Sequence, residues 1–138
     1  MRLKKIISKL FSYKRPNPQL NNLTSGKSFE EKYKDTGVFK YDDEGFSIQY
    51  EEFFKQIKWK DITEINAYKA DLMTIDRIEM EIVYGNKSLM VSEDLPGWYQ
   101  FVIKTKKVFS TIPHEWENEI TQPPFATNWT NIYKKEPL

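Results

Sequence analysis

The chain's single histidine, His114, is followed by Glu115, which opens the His-Glu-x-x-His pattern of a zinc-protease helix. The second ligand of that pattern would fall at Asn118, so the pair that must hold the metal lacks a member. Gly26-Lys27-Ser28 matches the end of a phosphate-binding loop. That loop needs a further glycine where Asn21 stands, and a strand before it, and neither is present in the pattern. Asp71, Asp76, Glu79 and Glu81 form the densest acidic run near a turn, and such carboxylates can bind a divalent cation or exchange protons. No histidine, nucleophile or glycine-rich loop accompanies them. Alternation places Glu79 and Glu81 on one strand face, expected to be solvated, while Asp71 and Asp76 suit ordering of the intervening loop through backbone amides. Zero cysteines remove thiolate chemistry and disulfides. The expectation is a protein that is not an enzyme, with no catalytic residue, cofactor or metal.

Four tryptophans, Trp59, Trp98, Trp116 and Trp129, have the chemistry to stack on nucleic-acid bases, but each lies on or beside an apolar periodic face and is expected in the core. Charge argues the same way. Residues 1–15 carry six basic side chains and no acidic one, which leaves fifteen basic against twenty acidic residues, a net of −5, over the remainder of a chain whose total is +1. An acidic body repels phosphate, so no nucleic-acid partner is expected.

Function is expected instead at the N-terminus. Leu3, Ile6, Ile7, Leu10 and Phe11 recur at the spacing of one helical face, and Arg2, Lys4, Lys5, Lys9, Lys14 and Arg15 supply positive charge around them. Near an anionic leaflet each basic residue contributes on the order of 1 kcal/mol, an upper bound of about 6 for the set, beyond the interfacial burial of the apolar stripe. These eleven residues form the membrane-binding candidate. The same pattern also fits a protein partner, docking on its own domain, or an unattached tail, and a helix this short orders only against a surface.

Three segments follow from the pattern: a basic amphipathic helix over 1–15, a polar linker over 16–28 opened by Pro16 and Pro18, and a domain over 29–138. In the domain the period becomes two. Val38 to Tyr41 leads through Asp42-Asp43-Glu44-Gly45, with glycine where a turn tolerates positive φ, into Phe46, Ile48 and Tyr50. Phe53, Ile57 and Trp59 share a face before Lys60-Asp61 breaks the run, and Ile65 and Ala67 resume the alternation. Ile78, Met80, Ile82 and Tyr84 alternate with charges, and Gly85-Asn86 turns the chain into Leu89 and Val91. Trp98, Phe101, Val102, Thr105, Val108 and Phe109 have helical spacing, with a start supplied by Ser92 to Leu95. A short helix around His114 to Thr121 places Trp116 and Ile120 on one side. The aromatic tail from Phe125 to Tyr133 should lie along the domain. No run approaches the roughly 20 apolar residues of a spanning helix, and a cytoplasmic location, with attachment at the inner membrane face, is expected.

Strands arranged as antiparallel sheets and followed by a helix make the domain mainly β, of the α+β kind. Its phrase Ile57-Lys58-Trp59-Lys60-Asp61-Ile62-Thr63-Glu64-Ile65 resembles the Trp-x-Asp/Glu-Ile signature of bacterial pleckstrin-homology-like (PH-like) domains. Asp71 to Asp76, Glu93 to Trp98 and Pro124-Phe125-Ala126-Thr127-Asn128 resemble a group of small uncharacterised bacterial proteins. The resemblance spans about residues 37–134. It implies a PH-like β-sandwich or partly open barrel capped by a C-terminal helix, and no known activity. Two functions are therefore expected: an adaptor held on an anionic membrane surface by its N-terminal helix, or an immunity- or antitoxin-like module whose acidic surface masks a basic protein.

Overall fold

The computed structural model describes residues 34–71, 76–124 and 126–137. The helix expected over 1–15, the linker over 16–28, Gly26-Lys27-Ser28 and all eleven membrane-binding candidates lie outside these residues.

Among the described residues seven strands form two antiparallel sheets. The first holds β1 (Phe39–Tyr41), β2 (Gly45–Tyr50) and β3 (Phe53–Lys58) in that order. The second holds β4 (Ile62–Asp71), β5 (Asp76–Tyr84), β6 (Lys87–Ser92) and β7 (Asn128–Lys134), ordered β6-β5-β4-β7. Between β6 and β7 the chain forms helix α1 (Trp98–Val108) and the short helix α2 (Trp116–Ile120). Both sheets feed one buried apolar cluster, with Phe39, Phe46, Ile48 and Ile57 from the first and Ile65, Met80, Ile82, Leu89 and Val91 from the second. The period-two rhythm is the cause, since alternate side chains of a strand point to one face.

Helix α1 turns Trp98, Phe101, Val102 and Thr105 into this cluster. The Phe101 ring lies 4.6 Å from that of Phe39 and 5.0 Å from that of Phe46, so the helix closes over the first sheet. Complete burial of a phenylalanine contributes about 1.5–3 kcal/mol. The helix is not the last element. The aromatic tail becomes β7, which adds to the free edge of β4 with Ala67 opposite Thr130 and Tyr68 opposite Trp129.

Two local expectations are corrected. Gly45 lies inside β2, outside the left-handed region, and its reason is proximity: a Cβ there would stand 2.1 Å from the Ile57 carbonyl oxygen on β3. Asp42 makes the turn, its Oδ1 accepting the amides of Glu44 and Gly45 at 2.8 Å each. Ser92 ends β6 instead of capping α1. Its Oγ accepts the Asp94 amide at 3.2 Å, and the helix begins after Gly97 (φ 92°) with no side-chain cap. Gly85 does take positive φ, 57°, in the two-residue turn between β5 and β6. Among the described residues no helix is long and apolar enough to cross a membrane.

Candidate functional site

The four carboxylates singled out by sequence do not converge. Asp71 and Asp76 face each other across the β4–β5 pair, and Asp76 Oδ2 lies 3.7 Å from Lys69 Nζ. Glu79 Oε1 accepts from Arg77 Nε at 2.9 Å, and Arg77 also reaches Asp94 at 3.7 Å. Glu81 Oε1 accepts from Asn66 Nδ2 at 3.0 Å, and Asn66 Oδ1 accepts from Asn131 Nδ2 at 2.8 Å, a chain of amides across β5, β4 and β7. Glu79 and Glu81 share a face, but Glu79 is buried, contrary to the solvated face expected. Its register neighbours Tyr68 and Ser92 flank it, and alternation says nothing of what flanks a face. That burial raises its carboxyl above the usual value, against the opposing pull of Arg77. Among the described residues no three metal-ligating side chains gather.

Lys69 is a charged residue at an inward position of β4. It follows Ile65 and Ala67 at period two, so it points inward, and it is 1% exposed. Its ammonium donates to the carbonyl oxygens of Thr121, at 2.9 Å, and Pro123, beyond the end of α2. The tryptophans divide. Trp59, Trp98 and Trp116 are in the core, whereas Trp129 is 53% exposed and meets Tyr68 edge-on at 6.3 Å. Trp129 sits on the outward face of an edge strand, where apolar spacing alone could not place it.

Two concavities stand out among the described residues. One, of about 430 Å³, runs beside α1 and is lined by Trp98, Tyr99, Glu93, His114, Glu115 and Glu117 among others. Here Asn118, standing where a metal-binding histidine would be, donates to Glu115 Oε2 at 2.6 Å, and Lys106 Nζ bonds the His114 carbonyl at 2.7 Å and Glu117 Oε1 at 2.6 Å. The polar groups bind one another, and the groove presents carboxylates beside an exposed Tyr99.

The other, of about 700 Å³, opens where the end of β3, the 3-10 turn Trp59–Asp61 and the β5–β6 turn meet β7. Lys55, Lys60, Lys87 and Lys135 line it, with Asp61 as their single acidic companion. Lys55 Nζ stands 5.4 Å from the Tyr84 ring centre, and Lys135 Nζ donates to the Lys60 carbonyl at 2.8 Å. None of the four is within ion-pair distance of a carboxylate among the described residues, unlike Lys69, Arg77 and Lys106. Tyr84 forms part of the wall, and its buried hydroxyl has no hydrogen-bond partner among the described residues. Burial raises the pKa of that hydroxyl. Sequence reasoning missed this groove because its lysines come from three separate stretches, around positions 55–60, 87 and 135.

No family model, no curated protein and no solved structure matches the chain.

Proposed function

We propose that this chain is a non-enzymatic binding module of PH-like architecture that works against an anionic surface, held to the inner face of a membrane by the basic amphipathic segment. Two antiparallel sheets closed by α1 over Phe39 and Phe46 support the architecture. The observation that carries the functional reading is the groove of four lysines without carboxylate partners on a body of net charge −5. A second positive feature on an acidic body gives the domain its own complement to an anionic surface, beside Arg2, Lys4, Lys5, Lys9, Lys14 and Arg15.

Co-sedimentation with anionic vesicles at low and high salt tests this. The intact chain should pellet at low salt, release at high salt and lose most of its binding when residues 1–15 are removed. Binding that is indifferent to salt, or to that deletion, overturns it.

The acidic groove beside α1 favours a second reading, a module that masks a basic protein with Glu93, Glu115 and Glu117. A stoichiometric partner retained after deletion of residues 1–15, and lost on Glu115→Gln with Glu93→Gln, supports it, and retention by that double variant counts against it.

A further inference from the structure

We infer that the lysine groove takes a soluble or lipid-borne phosphate ester carrying several negative charges, gripped by Lys55, Lys60, Lys87 and Lys135 over Tyr84. The inference rests on the reading of this groove as a recognition surface and names its ligand class.

Charge comes first. Four ammonium groups around one groove repel each other, and Asp61 offsets a single one, so an anion bound there relieves repulsion as well as making new bonds. A volume of about 700 Å³ far exceeds what a lone small ion fills, and fits a ligand with more than one phosphate or with a body attached to it. The lining selects phosphate over apolar ligands, since lysine side chains, Gln56, Thr63 and the Gly85-Asn86 turn present mainly donors.

Preorganisation comes second. Lys135 is held by the Lys60 carbonyl and Lys55 is held over the Tyr84 ring, so two of the four cations are already ordered before a ligand arrives. Lys60 and Lys87 are exposed, make no side-chain hydrogen bond or ion pair among the described residues, and are free to close on the ligand. The Tyr84 ring forms part of the wall, and its face fixes the position of Lys55 there.

The probe is sodium tripolyphosphate, titrated calorimetrically into the full chain at fixed ionic strength. The expected result is saturable binding that weakens at least about tenfold in Lys60→Gln/Lys87→Gln. Lys40→Gln/Lys107→Gln, which removes the same charge at exposed positions outside the groove, should leave the affinity unchanged. No binding to the full chain, or equal weakening by the two double variants, overturns the inference. Vesicles containing phosphatidate separate the sources. If Lys60→Gln/Lys87→Gln also loses vesicle binding, the ester is a lipid headgroup, and if it loses tripolyphosphate alone, the ligand is soluble. Failure of the membrane reading would instead show as vesicle binding untouched by removal of residues 1–15, with tripolyphosphate binding intact.

Discussion

The Lys69 ammonium on β4 donates to the Thr121 carbonyl just past α2, tying the second sheet to the short helix from inside the core. A buried cation held in this way is costly to orphan or to remove. Lys69→Ala removes the buried cation 3.7 Å from Asp76 and opens a cavity, and is expected to destabilise the fold by about 3–5 kcal/mol. Lys69→Met also removes the cation and its polar bonds but keeps the volume, so it should cost less by the cavity part alone. Urea denaturation of the two variants checks the order, and a harmless Lys69→Ala would refute this role.

Glu79 predicts an inverted pH response. A carboxyl whose folded-state pKa lies above its unfolded value holds its proton more tightly in the fold. Its contribution to stability is therefore full below the unfolded pKa and is lost as pH rises through the raised value. Glu79→Gln mimics the protonated group and can still accept from Arg77. Relative to the wild type, this variant should be more stable at neutral pH than near about pH 4, where the two should converge. Unfolding free energies measured at both values check this, and a pH-independent difference would contradict it.

Gly37 and Gly97 bring two backbone segments into direct contact. A Cβ on Gly97 would stand 2.1 Å from the Thr36 carbonyl oxygen, one on Gly37 would stand 2.0 Å from that of Pro96, and both residues have positive φ. Left-handed backbone alone costs an L residue about 1–2 kcal/mol, and here the collision adds to it. Gly97→Ala should lose more than about 2 kcal/mol, whereas Gly85→Ala, equally left-handed with nothing within 4 Å, should show only the backbone part. Thermal melts of the pair separate the two effects.

Glu51 carries positive φ, 53°, in the two-residue connection from Tyr50 to Phe53. Asparagine tolerates this region better than glutamate without glycine's entropic cost in the unfolded chain. Glu51→Asn is expected to stabilise by about 0.5–1 kcal/mol, measured by denaturant midpoint, and a loss of stability would show that the side chain has another role.

Much of this fold is legible where physics is local. Gly85-Asn86 announces its turn, the alternation from Ile78 to Tyr84 announces β5, and the spacing from Trp98 announces α1 within a residue of its observed end at Val108. Gly45 shows where local logic stops: the pattern identifies a glycine near a turn, while its need comes from β3 passing across it. Lys69 was readable in principle, since period two from Ile65 and Ala67 aims it inward, but a charged residue at a core position looks like the end of a strand. Glu79 and Trp129 exchange their expected environments because alternation assigns a face and cannot say what covers it. The lysine groove was not legible at all, because Lys55, Lys60, Lys87 and Lys135 meet only once both sheets and β7 are assembled.

The pairing of β7 with β4 also has a consequence in time. Asn66 and Asn131 are bridged across 65 positions of sequence, so one edge of β4 waits for its partner until the ribosome has read through Lys134. Until then a strand ten residues long offers unpaired amides and carbonyls along that edge, and the nascent chain is most open to sticking to its neighbours during this interval. The long separation also sets the pace of completion, since closing so large a loop must precede the bonds that reward it.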